Sequence, residues 1–153
     1  VAHINVGGGL GIDYEQPDEH PIPDFEAYFQ TYEKHLKLRP GQELHFELGR
    51  AIVCQCGSLI TRCLYVKQTE HKQFVIVDAG MTDLIRPALY GALHRIENLS
   101  SREAGQPYDV VGPICESGDF QAQNREIADV KPGEILAEMS AGAYGFSMAG
   151  TYR

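Results

Sequence analysis

No apolar run in this sequence approaches the roughly 20 residues that a membrane-spanning helix requires, and no signal-peptide pattern opens it. Lysine and arginine never cluster, and 13 of them stand against 21 acidic residues, for a formal net charge of -8. Nucleic acid is therefore excluded as an expected partner, because phosphate backbones are bound by grouped basic side chains. The four cysteines, Cys54, Cys56, Cys63 and Cys115, form no C-x-x-C pair. That removes the support for a thioredoxin-like or zinc-ribbon site, no metal is expected, and reduced thiols in the cytoplasm are the simplest account. Two phosphate motifs are also missing. Counting from Gly7, a dinucleotide fingerprint would need glycine where Ile12 stands, and no Gly-Lys-Ser or Gly-Lys-Thr run exists.

With 43% hydrophobic and 22% charged residues over 153 positions, the composition is that of a globular protein able to bury a core. The sequence opens on Val1 rather than methionine, already at a strand-like run, so it is expected to begin inside a longer chain. That run, His3-Ile4-Asn5-Val6, leads into Gly7-Gly8-Gly9-Leu10-Gly11. Consecutive glycines at a strand end let the backbone turn its N–H groups toward an anion, although a ligand-free tight turn has the same signature.

Pro17, Pro21 and Pro23 then keep an acidic connection from being helical throughout. Phe25, Tyr28, Phe29, Tyr32 and Leu36 recur at spacings of three and four after Asp24, a capping residue, and Pro40-Gly41 ends the helix they predict. Leu44, Phe46 and Leu48 alternate with Glu43, His45 and Glu47 as in a strand. Strand, helix, strand is the unit of parallel sheets and α/β barrels. Beyond Gly49-Arg50, strand-like runs follow closely: 51–56, 59–67, 74–78, 92–99, 108–111, 126–130 and 135–139. The expected fold is α/β plus β, with an α/β part over residues 1–50 and a mainly antiparallel β domain over residues 51–153.

Glu47-Leu48-Gly49-Arg50 falls at the end of the second strand, the edge where α/β barrels place ligands. Glu47 by itself is an ordinary exposed carboxylate, whereas Gly49 can bring backbone N–H groups to an anion and Arg50 can fork onto one. Asp83 to Tyr90 reads as a short surface helix or turn, Cys115 as a buried small hydrophobe, and Cys54 and Cys56 as packing residues on one strand face. Tyr144 lies in the Gly- and Ala-rich segment Ser140 to Gly145, where backbone can approach a ligand closely or an aromatic can simply fill the core.

Four segments in order, Gly7-Gly8-Gly9, Glu47-Leu48-Gly49-Arg50, Cys115-Glu116-Ser117-Gly118-Asp119 and Gly142-Ala143-Tyr144-Gly145, closely resemble the diaminopimelate decarboxylase family over nearly the whole chain. Its members are pyridoxal-phosphate decarboxylases with a TIM barrel and a C-terminal β domain, so the resemblance implies the last βα units of an incomplete barrel followed by that β domain. It implies a pyridoxal 5'-phosphate cofactor, with Gly9, Gly49, Arg50 and Tyr144 near its phosphate and Glu47 facing its pyridine nitrogen. It further implies that Arg50, Arg86, Tyr90, Glu116 and Tyr144 bind meso-diaminopimelate, whose uncleaved end carries both an amino group and a carboxylate. Cys115 would be the catalytic acid, reaching with Glu116 into the neighbouring site of a homodimer. Leu48 stands where the family has proline, which implies a looser turn.

The family holds its cofactor on a lysine that precedes the glycine loop. None of Lys34, Lys37, Lys67, Lys72 and Lys131 has that context, so the chain is expected to be an inactive C-terminal portion of an enzyme that makes L-lysine and CO2. Two readings stand beside this one. An ornithine- or arginine-type decarboxylase of the same superfamily would pair the cysteine with aspartate rather than Glu116, and a non-catalytic β-rich dimerisation or regulatory module would not need the Glu47 and Arg50 positions.

Overall fold

A computed structural model describes residues 1–152. The chain begins with β1 (His3–Asn5), α1 (Phe25–His35) and β2 (Glu43–His45). Strands β1 and β2 pair in parallel, with Ile4 opposite Leu44, so the expected strand–helix–strand unit is present. The Asp24 carboxylate accepts the Ala27 N–H at 2.8 Å and starts α1, while Lys34 and His35 complement the carbonyl end. The aromatic stripe packs onto the sheet through one residue. The rings of Tyr28, Phe29 and Tyr32 all meet Phe46 edge-on, at centroid distances of 5.9, 4.9 and 5.1 Å.

The pairing continues past β1 and β2 into the glycine turn, where Val6 N–H donates to His45 and Glu47 N–H to Gly7. Next comes α2 (Gly49–Val53) with a 3-10 turn over Cys54–Cys56, in place of the strand expected over 51–56. Ile52 and Val53 are β-branched and read as strand, but they are exposed; Ala51 and Cys54, three apart, are the buried pair. A period of three buries one side of a helical turn, and it also separates Cys54, buried, from Cys56, exposed, against the expected shared face.

The remaining strands are β3 (Leu59–Gln68), β4 (Gln73–Val77), β5 (Ile96–Asn98), β6 (Gly105–Val111), β7 (Phe120–Ala128) and β8 (Ile135–Glu138), with a short α3 (Arg86–Tyr90) between β4 and β5. They form one sheet in the order β5-β8-β3-β4-β6-β7, antiparallel except for β4 beside β6. The two outer strands, β5 and β7, approach each other, so the sheet curls toward closure. Its inner face holds Cys63, Val75, Val77, Ile96, Tyr108, Val110, Ala122, Ile127, Val130 and Leu136.

Two of the expected runs are placed differently. Only Ile96–Asn98 of 92–99 is strand, because α3 ends at Gly91 in a left-handed conformation (φ 61°) and His94 turns into the interior. β7 starts at Phe120 and stops at Ala128, not over 126–130. Of the four cysteines, none is bridged, and no helix among the described residues is long and apolar enough to cross a membrane.

Tyr108 shows how the sheet carries a polar group inside. Its hydroxyl donates to Asp129 at 2.9 Å and accepts from Gln106 at 2.7 Å. The Tyr108 contact is the largest of those that hold the Asp129 carboxyl below its ordinary pKa. Tyr108→Phe is expected to cost about 1–2 kcal/mol in urea unfolding and to raise the Asp129 pKa in an NMR titration. An unchanged Asp129 titration would show that the hydroxyl does not bear on it.

Candidate functional site

The glycine turn and Glu47 are tied together by a residue that the sequence reading passed over. Asn5 donates to the Glu47 carboxylate at 2.7 Å and accepts the Gly7 N–H at 2.7 Å, so one side chain orients the acid and the turn. Gly7 and Gly9 have φ of 73° and 102°, and Gly8 lies so close to the Glu47 carbonyl that a Cβ would collide with it. The only sequence signal for Asn5 was its place in the alternating run that enters the glycine turn.

One turn further, Gly49 and Arg50 open α2, preceded by Leu48, whose side chain is buried. The loop expected to carry Tyr144 docks on the far end of the same helix. Gly142 N–H donates to Cys54 and Ala141 N–H to Gly57, each at 2.8 Å. This joint sets Tyr144, in a left-handed backbone conformation with φ 67°, beside two cations. The Arg50 guanidinium carbon lies 5.8 Å from its ring centroid and that of Arg86 lies 5.7 Å away. Arg50 Nε is buried without a hydrogen-bond partner. Two like charges over one ring, one with an orphaned donor, are arranged to receive an anion.

Arg86 is not on a surface helix; it is buried at the start of α3. Its Nη1 donates to the Tyr14 hydroxyl at 2.8 Å and faces His94 Nε2 at 3.2 Å, and the Tyr14 ring lies beneath it at 5.2 Å. His94 is fully buried, and its Nδ1 meets the Met139 carbonyl at 3.0 Å. Burial foremost, and then the Arg86 charge, hold its pKa below the ordinary imidazole value, so the ring is neutral near pH 7. Tyr14, His94 and Cys54 were not among the expected site residues, since nothing in their spacing marks them. Tyr90, four residues after Arg86 and largely exposed, closes α3.

Cys115 and Glu116 belong to a separate, exposed loop, so Cys115 is not the buried small hydrophobe that its residue type suggested. The buried Asp119 carboxylate organises that loop, accepting Ile114 N–H at 2.8 Å and Met81 N–H at 2.6 Å. Cys115 borders a cleft of about 290 Å³ with Asp78, Gly80, Thr82 and Asp83. Among the described residues no hydrogen bond or ring contact joins this loop to the arginine pair, so the structure brings Gly49, Arg50, Arg86 and Tyr144 together and leaves Cys115 and Glu116 apart. His3, His45 and Glu43 also converge at one edge, with contacts of 3.1–3.5 Å among exposed side chains.

A comparison with family models matches residues 13–142 to the C-terminal sheet domain of the pyridoxal-dependent decarboxylases. A diaminopimelate decarboxylase of Bacteroides thetaiotaomicron is 61% identical over 152 residues, covering 99% of this chain and 39% of the relative; one of Pseudomonas aeruginosa is 48% identical over 99% of the chain and 36% of the relative. A crystal structure of diaminopimelate decarboxylase from Helicobacter pylori complexed with L-lysine superposes with a TM-score of 0.80 at 40% identity, over 98% of this chain and 36% of that one. The chain thus spans less than two fifths of the length of these relatives. The chain belongs to the pyridoxal-dependent decarboxylase family, whose C-terminal sheet domain accounts for residues 13–142.

Proposed function

We propose that this chain is the C-terminal portion of a cytoplasmic, homodimeric enzyme that decarboxylates meso-diaminopimelate to L-lysine and CO2 with pyridoxal 5'-phosphate. The observation that carries the reading is the pair of arginines facing Tyr144 with Arg50 Nε buried and unpartnered, a site built for an anion. Residues 1–50 are then the last βα units of a TIM-type barrel, supported by the parallel β1–β2 pair, and residues 51–153 the β domain.

The side chains present fit the cofactor. Gly9, Gly49 and Arg50 would hold its phosphate, with Tyr144 alongside, and the Glu47 carboxylate, oriented by Asn5, would keep the pyridine nitrogen protonated. When bound, the group supplies an electron sink for the pair left behind as CO2 departs. Arg86, Arg50, Tyr90 and Tyr144 would bind the uncleaved amino-acid end, a carboxylate beside an ammonium, with Glu116 of a neighbouring copy matching the ammonium. Cys115 Sγ would deliver a proton to the carbon that loses CO2. Its exposure on a loop apart from the arginine pair supports service to another copy's site.

Assay of the intact protein on meso-diaminopimelate, ornithine and arginine tests the reading. Stoichiometric L-lysine and CO2 from meso-diaminopimelate are expected, and a preference for ornithine would overturn the role given to Glu116. Borohydride reduction of this chain with pyridoxal phosphate should label no specific lysine; stoichiometric labelling at one site would mean that the chain holds a complete cofactor site by itself.

A further inference from the structure

We propose that His94 and Tyr14 are positioning residues that lock the Arg86 guanidinium so that its Nε/Nη2 edge is presented to the carboxylate of the substrate's uncleaved end. The inference rests on the function proposed above and goes beyond it by assigning work to two residues that touch no ligand.

Hydrogen-bond direction fixes the arrangement. The Met139 carbonyl oxygen can only accept, so His94 Nδ1 carries the ring proton and Nε2 is left with its lone pair. Arg86 Nη1 can only donate, and that lone pair is 3.2 Å away. The Cys54 thiol donates to the Ser140 carbonyl at 3.0 Å, which leaves its sulfur to accept from the Tyr14 hydroxyl at 3.3 Å. The Tyr14 oxygen is then free to accept from the same Arg86 Nη1 at 2.8 Å.

Both hydrogens of Nη1 are thereby used, and the guanidinium carbon stands over the Tyr14 ring, 5.2 Å from its centroid, while that ring meets the His94 ring edge-on. The hydrogen bonds that Arg86 makes among the described residues all run through Nη1, which leaves Nε and Nη2 without a partner there. A planar guanidinium held at one corner on two acceptors keeps the opposite edge for a bidentate carboxylate. The full burial of His94 keeps its ring neutral, which preserves the acceptor. Such preorganisation spares the arginine the loss of side-chain freedom on binding.

The test uses the intact enzyme and two inhibitors that differ at one end: L-lysine, which keeps the amino-acid end, and cadaverine, which lacks the carboxylate. In His94→Asn the amide nitrogen can still donate to Met139, but nothing accepts from Arg86; in His94→Gln the amide oxygen can reach the place of Nε2. His94→Asn is expected to raise the KM for meso-diaminopimelate and the Ki for L-lysine about tenfold, to leave the cadaverine Ki within about twofold, and to be rescued in large part by His94→Gln. Lysine and cadaverine weakening together, or an unchanged lysine Ki, would overturn the inference. If His94→Asn does not fold, Tyr14→Phe decides, with a smaller rise confined to lysine expected. A wild-type enzyme that does not turn over meso-diaminopimelate would instead sink the proposed function.

Discussion

Replacing Glu138 with glutamine is expected to stabilise the protein at pH 7 by about 3 kcal/mol and to remove a fall in stability between roughly pH 4.5 and 8. Glu138 lies on β8 between β3 and β5, opposite Leu59 and Ile96, fully buried, with both carboxyl oxygens lacking a partner. Burial, and secondarily the Asp83 charge, push its pKa to about 8 from 4.5. Below about pH 4.5 both folded and unfolded chains hold the proton. Between about 4.5 and 8 the unfolded chain releases it while the folded chain keeps it, so stability drops as pH rises; at pH 7 that is roughly two and a half pH units at about 1.4 kcal/mol each. Glutamine is neutral throughout and of the same shape. Urea unfolding from pH 4.5 to 8 should show the two proteins nearly equal at the acid end and diverging upward. A variant destabilised equally at every pH would mean that the carboxyl has a partner it needs.

How much of this was legible in the sequence depends on whether a residue's role is local. The helix at Phe25 was readable because its cap, stripe and stop all lie within one segment, and β3 and β4 because their alternation is local too. The turn at Gly7 was readable for the same reason. Glu138 was not: nothing in 135–139 marks a glutamate as interior, but a strand paired on both sides inside a curled sheet has Leu136, Ala137 and Glu138 all buried. The 51–56 segment misled because β-branched residues have a strand preference that three-residue burial overrode. The anchor of Arg86 draws on Tyr14, 72 positions away, and on His94, eight positions away, with no period linking them. Charged residues of the site were recognisable through resemblance; the neutral residues that aim them had no motif to betray them.

Gly142→Ala is expected to destabilise the protein by about 3 kcal/mol or more, because the nearest atoms that a Cβ there would meet are backbone: the carbonyls of Val53 and Cys54 and the amide of Gly57. A flexible side chain could move aside, whereas these atoms end α2 and its 3-10 turn, and Gly57 is itself so close that its own Cβ would strike Gly142. Relief requires the loop to lift, which breaks the Gly142–Cys54 and Ala141–Gly57 hydrogen bonds. Gly150→Ala supplies the comparison. Gly150 is in the same terminal segment, has open space around it, and should tolerate alanine within about 0.5 kcal/mol. Equal losses in urea unfolding would mean that the segment yields everywhere and that no tight joint exists. The expected difference would place the cost at the contact between the helix bearing Arg50 and the loop bearing Tyr144, so the same glycine that limits stability also sets the spacing of the anion site.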